Sequence, residues 1–206
     1  VEQVATPEGY ARNPELVINF YNERRKQLLD VVPNAGHLGV ADLERDFNVT
    51  VVTQNVDNLH ERAGSTHVIH LHGELTKVCS SRDPYNPHFV KELAPEEYEV
   101  KLGDKAGDGT QLRPFIVWFG ESVPEIETAI RYVEQADIFV IIGTSLNVYP
   151  AAGLLNYVPR AAEVYLIDPK PVDTHVMRPI HVIQKGASEG VKELKALLTV
   201  TQPPLP

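Results

Sequence analysis

The chain has 206 residues, a formal net charge of −9, and a composition of 43% hydrophobic and 23% charged residues. These values are typical of one globular domain, alone or with a small lobe, that is long enough to bury a core. They exclude two kinds of partner: an acidic chain lacks the lysine and arginine excess that binds nucleic-acid backbones, and no apolar run approaches the ~20 residues that span a bilayer.

Two capped prolines begin the predicted secondary structure. Thr6-Pro7-Glu8 and Asn13-Pro14-Glu15 each place a capping side chain before a proline at the first helical position. The second cap predicts a long helix to about Leu29, and Pro33-Asn34 separates it from another amphipathic helix over Ala35 to Phe47. The sequence therefore predicts a helical insert ahead of the first strand.

A β-branched strand over Val49 to Thr53 ends in the polar residues Gln54, Asn55 and Asp57, and a second short apolar strand ends at His72-Gly73. Ligand sites in open α/β sheets lie outside the carboxyl ends of the strands, so these side chains are candidate site residues. The alternative is an ordinary strand-to-helix loop that Asn55 and Asp57 cap, with His72 as a loop histidine.

The rest of the chain alternates strands and helices around one irregular stretch, Ser80 to Leu112, which has enough apolar residues to form a lobe. The other predicted elements are strands at Leu75–Val78, Arg113–Trp118, Asp137–Ile142, Val164–Ile167 and His181–Gln184, and helices at Val123–Gln135, Ala152–Tyr157 and Ser188–Leu198. The apolar run that ends at Ile142 is typical of a buried parallel strand.

This alternation predicts an α/β fold, a doubly wound parallel sheet that is Rossmann-like, with a small helical and irregular lobe. We expect one catalytic domain over residues 1–206, with its core at 46–76 and 113–202 and the lobe at 13–45 and 77–112.

Four spaced motifs resemble the sirtuins, the NAD-dependent protein-lysine deacylases. They are Gln54–His60 with Ala63-Gly64 and His72-Gly73, then Val117–Glu121, Gly143–Leu146 and Tyr149–Ala152. The resemblance covers nearly the whole chain. It implies that NAD is the cofactor, that acyl groups are removed from the lysines of protein substrates, and that nicotinamide and O-acyl-ADP-ribose are released.

The resemblance also implies roles for the first motif. His72 is expected to be the base that takes a proton from a ribose hydroxyl, which a neutral imidazole can do near physiological pH. Asn55 and Asp57 are expected to hold the nicotinamide amide and the water beneath it, and Gln54 to bond the ribose. Histidines 60, 67 and 70 are interpreted as structural. The further cofactor-binding residues that we expect are Val56, Gly143, Thr144, Ser145, Asp168 and Ala187.

Asp168 follows an apolar strand, where a carboxylate can accept bonds from the adenosine ribose hydroxyls and disfavour a 2′-phosphate. Sirtuins more often carry asparagine there, and the alternative is a surface turn at Asp168-Pro169. Ala187, near the start of the last helix, is expected to pack beside the adenine.

Two segments resemble the edges between which an acyl-lysine peptide adds as a strand, with affinity from backbone pairing. Their residues are Val117, Trp118, Phe119, Gly120, Glu121, Asn147 and Tyr149. Trp118 and Phe119 would wall the lysine tunnel; the alternative is that both are core residues.

Tyr21 and Arg24 share a helix face at i and i+3, and they resemble the Tyr-x-x-Arg pair of class III sirtuins, which accept succinyl- and malonyl-lysine. Arginine offers a planar fork for a carboxylate, and tyrosine adds one hydroxyl donor. Ala5 would leave room for the longer acyl group. The alternative is a packed tyrosine beside a solvated arginine.

The sequence departs from the family in its cysteines. Most sirtuins bind zinc with four cysteines, whereas this chain has only Cys79, and one thiol with His88 downstream cannot complete a four-coordinate site. The resemblance with this departure predicts no zinc. A lone cysteine and the lack of a secretion signal also fit a reducing compartment, so we expect a cytoplasmic protein.

A second departure concerns the cofactor. Sirtuins begin with a strand, a Gly-Ala-Gly loop that cradles the diphosphate and a Pro-Asp-Phe-Arg-like segment, and this sequence starts at Val1, just downstream of them. We expect either a shortened sequence or a further N-terminal part. Two other functions stay open: a non-catalytic module that binds NAD or ADP-ribose, and an NAD hydrolase or ADP-ribosyltransferase, against which the Tyr21/Arg24 pair argues.

Overall fold

The structure is a computed structural model that describes residues 1–144, 151–172 and 177–200. The α-helices of these residues are α1 (Pro7–Arg12), α2 (Pro14–Leu29), α3 (Ala35–Asp42), α4 (Leu59–Ala63), α5 (Ile126–Val133) and α6 (Ala187–Val200). The strands are β1 (Val51–Thr53), β2 (Val68–His70), β3 (Gly73–Ser80), β4 (Lys91–Glu92), β5 (Leu112–Ile116), β6 (Ile138–Ile142), β7 (Glu163–Ile167) and β8 (His181–Ile183).

The chain forms two compact units. The first contains Val1–Val32, Thr53–Asn58 and His70–Glu125, and the second contains Pro33–Val52, Leu59–Ile69 and Ile126–Pro206. These boundaries differ from those of the core and lobe expected from the sequence, which stay a prediction.

The first unit begins with the two helices that the capped prolines predict. The Thr6 hydroxyl accepts a hydrogen bond from the Gly9 amide at 3.0 Å, and the Asn13 side chain accepts one from the Leu16 amide at 3.1 Å. Each bond satisfies one of the amides that a helix N-terminus leaves without a partner. The predicted end of the second helix at Leu29 is also confirmed.

An antiparallel sheet in the order β4-β3-β5 follows these helices in the first unit. Gly73 of β3 pairs with Ile116 of β5, and the register shifts before Val78 pairs with Pro114. One face of this unit buries an apolar cluster that contains Ile18, Val78, Leu93 and Val100. The stretch predicted to be irregular therefore contributes a short strand and buried side chains, as a lobe requires.

A buried arginine joins helix α2 to strand β3 and to the stretch Ser80 to Leu112. Arg25 donates to the carbonyl oxygens of Tyr98 and Leu75 and to the side-chain oxygen of Asn22. Burial removes water from the guanidinium and lowers its pKa to about 10. Asn22 in turn exchanges two hydrogen bonds with the backbone of Val100, so the polar atoms at this contact have partners.

The second unit contains the predicted parallel strands, in the order β6-β7-β8. Helix α6 packs on them, with Val191, Leu194 and Leu198 in one buried cluster with Tyr165 and Ile167. The run Asp137–Ile142, predicted to be a buried parallel strand, forms the parallel strand β6. This strand is mostly half-buried, because among the described strands it is the edge of this sheet while β7 lies at its centre.

Three helix predictions require correction at their ends. The helix expected to reach Phe47 ends at Asp42 and continues only as a 3₁₀ turn over Leu43–Arg45. The helix expected from Val123 begins at Ile126, after Pro124, and the one expected near residues 152–157 is a 3₁₀ helix, Ala151–Tyr157. Helix ends are decided by packing and capping more than by periodicity, which explains these differences.

No helix in the described part of the chain combines the length and the apolar composition needed to cross a membrane.

Gly73 allows β3 to approach β5 closely. Its φ is +89°, and a Cβ at this position would overlap the carbonyl oxygen of Phe115. We expect Gly73→Ala to lower the free energy of unfolding, measured by urea denaturation, by about 2 kcal/mol or more beyond Gly103→Ala. Gly103 is the control because its φ is +101° and no described residue other than its two chain neighbours lies within 4 Å of the position a Cβ would take, so it reports the backbone strain alone. Equal losses for the two variants would contradict the close approach.

Candidate functional site

The loop from Gln54 to Asp57 lies along the chain segment that carries His72. Thr53 is buried, and its carbonyl oxygen accepts a hydrogen bond from the Leu71 amide at 3.0 Å. The Thr53 hydroxyl accepts a hydrogen bond from the Asn55 amide, also at 3.0 Å. Further along both segments, the Leu75 amide donates to the Val56 carbonyl at 2.8 Å. The first unit thus brings His72 and the loop together.

His72 is half-buried, and its side chain shares a hydrogen bond with the backbone of Gln54. Burial lowers the pKa of this imidazole below its ordinary 6.5, an effect that the bond to Gln54 only partly offsets. The ring is therefore neutral at pH 7, with one nitrogen able to accept a proton. The backbone carbonyl of His72 accepts the Val117 amide at 2.9 Å, which links this residue to the next segment.

Gln54 has a donor that needs a partner. Its amide nitrogen Nε2 is buried and makes no hydrogen bond with any described residue. Leaving such a group without a partner costs about 1–3 kcal/mol, so a ligand hydroxyl or carbonyl at this position would be stabilised. Asn55 is exposed and Asp57 is half-buried on the same loop. This arrangement fits a polar ligand held beside His72.

His70 is a buried histidine that contacts this loop. It is 8% exposed, and its Nδ1 lies 2.9 Å from the carbonyl oxygen of Asn55, where it fixes the loop. His67 similarly pairs with the Thr50 hydroxyl at 2.9 Å in the second unit.

The segment Val117–Glu121 follows β5 and turns at Gly120, whose φ is +88°. Its two aromatic residues point differently: Trp118 is 2% exposed, whereas Phe119 is 69% exposed. Trp118 is therefore a core residue, which was the alternative considered from the sequence, whereas Phe119 is not. The Phe119 amide donates to the Ala5 carbonyl at 3.0 Å, so the predicted substrate residue Ala5 lies against this segment.

Arg113 is a buried charged residue beside this segment that the sequence did not single out. It is 4% exposed, and its guanidinium makes two hydrogen bonds to the Glu121 carboxylate, at 3.0 and 2.9 Å. The same guanidinium lies over the Trp118 ring, 3.8 Å from its centroid. The sequence signal was present: an arginine within an otherwise apolar strand needs a partner for its charge.

Tyr21 and Arg24 differ in their surroundings. Tyr21 is buried; its hydroxyl donates to the Val4 carbonyl at 3.0 Å and accepts from the Trp118 indole nitrogen at 3.1 Å. Desolvation by burial raises the pKa of this hydroxyl. Arg24 is exposed, with its guanidinium 5.0 Å from the centroid of the Phe20 ring.

The second unit holds the remaining predicted cofactor residues. Gly143 and Asp168 directly follow the adjacent parallel strands β6 and β7, and their amides donate to Ile167 and Ile183 at 3.0 and 3.2 Å. Gly143 has a φ of +64°, and within the described part of the chain no atom beyond its two neighbours lies within 4 Å of the position a Cβ would take. Thr144 follows Gly143.

Two features of this edge bear on the alternatives for Asp168. One Asp168 carboxylate oxygen accepts a hydrogen bond from the Lys170 amide at 2.8 Å, as expected for a turn at Asp168-Pro169. Asp168 is nevertheless half-buried and lies at the end of a strand, as expected for a cofactor-binding residue. Ala187 is the first residue of α6 and is also half-buried. Ser145, Asn147 and Tyr149 lie outside the described residues.

A cleft of about 310 Å³ in the second unit contains none of the predicted site residues. It is lined by Glu134, Gln135, Ala136, Asp137, Pro159, Ala161 and Ala162. Asp137 precedes β6 and Ala162 precedes β7, so this cleft lies at the opposite ends of the strands from Gly143 and Asp168.

Comparison with known proteins gives one consistent result. The model of the Sir2 family matches residues 1–150. An NAD-dependent protein deacylase of Bacteroides thetaiotaomicron is 83% identical over 198 residues, which are 96% of this chain and 85% of that protein.

Two solved structures are similar to this fold. A mutant Sir2 homologue in complex with ADP ribose is 33% identical with a TM-score of 0.82, covering 98% of this chain and 82% of that one. A Sir2 structure with a p53 peptide and NAD⁺ is 25% identical with a TM-score of 0.75, covering 94% of this chain and 82% of that one.

Proposed function

This chain belongs to the Sir2 family, the sirtuins, and is an NAD-dependent protein deacylase; we propose that it removes succinyl and malonyl groups from protein lysines in preference to acetyl groups. The observation that carries the preference is the exposed guanidinium of Arg24, on the same helix face as Tyr21.

Arg24 is available to a ligand carboxylate. Among the described residues no carboxylate pairs with it, in contrast to Arg113, whose charge Glu121 neutralises. The Phe20 ring packs under the Arg24 guanidinium and orders it. A planar guanidinium that is ordered and unpaired binds a carboxylate through two parallel hydrogen bonds. An acyl group that ends in a carboxylate therefore gains a bond that an acetyl group does not have.

Tyr21 has a different part in this proposal from the one expected from the sequence. Its hydroxyl has a single proton, which it donates to Val4, and it receives the Trp118 indole N–H. We propose that Tyr21 shapes the acyl pocket with Ala5, and that Arg24 alone supplies the charge that recognises the acid. A hydroxyl bond to the ligand would require Tyr21 to release Val4.

The residues around His72 fit the cofactor that the family uses. When bound, NAD supplies an ADP-ribosyl group whose bond to nicotinamide can be broken. We propose that the unpaired Gln54 Nε2 donates to a ribose hydroxyl and that Asn55 and Asp57 hold the nicotinamide amide. Val56 of the first unit is also proposed to bind the cofactor. The proposed cofactor residues of the second unit are Gly143, Thr144, Asp168 and Ala187.

His72 is proposed to accept the proton of a ribose hydroxyl on its free ring nitrogen. Its bond to the Gln54 backbone sets the orientation of the ring, and its lowered pKa keeps the ring neutral. The segment Val117–Glu121 is proposed to pair with the backbone of the acylated protein substrate, with Phe119 exposed toward it. The predicted cofactor residue Ser145 and the predicted substrate residues Asn147 and Tyr149 lie outside the described residues.

We expect His72→Gln to lower kcat for release of nicotinamide in the presence of an acyl-lysine peptide by about 10²–10⁴-fold, because glutamine cannot accept a proton. The far-UV spectrum and the melting temperature serve as controls for folding.

The pH dependence of the wild-type protein follows from the same group. The neutral ring is the active form, and its pKa lies below 6.5. As the pH is lowered from 8, kcat/KM should therefore remain constant to pH 6.5 and decrease only at a more acidic pH, where the ring becomes protonated. A half-maximal point above the ordinary histidine pKa would contradict the assignment of His72 as base.

The acyl preference can be tested with Arg24→Met. Loss of a charged hydrogen-bond pair costs about 1.5–3 kcal/mol, so kcat/KM for a succinyl-lysine peptide should fall about 10- to 100-fold, while the value for the acetyl-lysine peptide of the same sequence stays within about twofold. Lys26→Met is the matched control, because Lys26 is an exposed cation on the same helix. If Arg24→Met lowers both activities equally, Arg24 does not recognise the acyl carboxylate. Release of nicotinamide by the wild-type protein in the absence of peptide would indicate an NAD hydrolase instead.

We also propose that the lobe over residues 77–112 is stable without zinc. Cys79 is fully buried against the Pro114 carbonyl, and burial raises the pKa of its thiol to about 12, which disfavours the thiolate. Beside it, the Ser80 hydroxyl donates to Asp108 at 2.6 Å and contacts the Thr110 hydroxyl at 3.0 Å. These side chains close the lobe by hydrogen bonds.

Elemental analysis of the purified protein should therefore find well under about 0.1 zinc per chain, since structural sites need four ligands. Cys79→Ala should bind no less metal than the wild type, and EDTA should leave the melting temperature unchanged. One bound zinc per chain, lost together with stability in EDTA, is the result that would overturn this proposal.

A further inference from the structure

Arg113 has more contacts with the segment Val117–Glu121 than its place in β5 requires. In addition to the two bonds to Glu121, its Nη2 donates to the Ile116 carbonyl at 2.8 Å. The guanidinium also covers one face of Trp118. One buried cation therefore contacts the strand end and both sides of the turn that follows it.

Glu121 completes this connection from the other end of the segment. Its Oε1 accepts both the Arg113 Nη2 at 2.9 Å and the Trp118 amide at 2.8 Å, and its own amide donates to the Trp118 carbonyl at 3.0 Å. These bonds close the segment around Gly120, where the left-handed φ allows the reversal. The shape of the segment is thus fixed by side-chain contacts to Arg113.

Trp118 extends the connection to the helix proposed to read the acyl group. The ring held under Arg113 donates its Nε1–H to the Tyr21 hydroxyl at 3.1 Å, and the ring also packs against Tyr10 at 5.3 Å between centroids. A change in the tilt of this indole would move the proposed peptide edge relative to the acyl pocket.

We infer that Arg113 is a positioning residue for the acyl-lysine peptide: it holds Val117–Glu121 in the conformation that pairs with the substrate backbone. This inference rests on the proposed function of that segment. A buried ion pair contributes little net stability compared with apolar packing, and its value lies in selecting one geometry. Lysine keeps the charge but has neither the fork for two bonds to Glu121 nor the plane that stacks on Trp118.

The test is Arg113→Lys in the full chain, assayed with acetyl- and succinyl-lysine peptides of one sequence. A misplaced peptide edge should raise the KM for both peptides about tenfold and leave the KM for NAD within about twofold, with the ratio of the two acyl activities unchanged. Arg25→Lys is the matched control: Arg25 is equally buried in the same unit, but its hydrogen bonds go to Tyr98, Leu75 and Asn22.

Fluorescence provides a readout that does not depend on turnover. Trp118 is the only tryptophan in the sequence, so emission reports directly on the ring under Arg113. Arg113→Lys should shift the emission to longer wavelength and increase quenching by acrylamide, whereas Arg25→Lys should do neither. Glu121→Gln, which keeps the shape of the side chain but removes its charge, should change the emission in the same direction.

The outcomes separate this inference from the proposed function. Binding of a labelled acyl-lysine peptide, measured by anisotropy, should be weakened about tenfold by Arg113→Lys whether or not the succinyl preference exists. Wild-type peptide affinity in Arg113→Lys, together with a shifted emission, would overturn the inference and leave Arg113 as a structural residue. Failure of Arg24→Met to change the acyl preference would count against the proposed function alone.

Discussion

The first unit depends on how closely β3 and β5 approach at Gly73. The backbone of Phe115 occupies the space where any other residue would place its Cβ. This contact sets the position of His72, whose carbonyl accepts the Val117 amide directly beside it. The residue proposed as the base and the segment proposed to bind the peptide are therefore joined by one backbone hydrogen bond, and neither can shift without the other.

Two buried arginines show how the same unit accommodates charge. Arg25 is surrounded by carbonyl oxygens and an asparagine, which satisfy its donors without neutralising it, and its pKa falls. Arg113 has a carboxylate, and its aromatic neighbour favours a cation as well. The first arrangement fastens a helix to the lobe; the second shapes a loop. Arg24, exposed on the same helix as Arg25, is the residue that we propose to bind the substrate carboxylate.

The second unit contributes through the register of its parallel strands. Because Ile142, Ile167 and Ile183 lie side by side, the residues that follow them emerge at one edge of the sheet. Gly143 and Asp168 occupy that edge, and Gly190 of α6 packs so tightly on Ile167 that the helix lies directly against the central strand. Small residues thus set the approach of a backbone in both units, to β5 in the first and to β7 in the second.

The sequence by itself determined the features that depend on neighbours within a few residues. The caps at Thr6 and Asn13, the apolar strand before Gly143 and the order of the motifs could all be read locally, because each requires only short-range hydrogen bonds or alternation. The tertiary structure decided the rest. Trp118 is buried and forms a hydrogen bond with Tyr21, which is 97 residues away in the sequence, whereas its neighbour Phe119 is exposed. No local sequence pattern distinguishes these two aromatic residues. The direction of the Tyr21 hydroxyl and the partner of Arg113 are likewise consequences of long-range packing, which brings together groups that the sequence keeps apart.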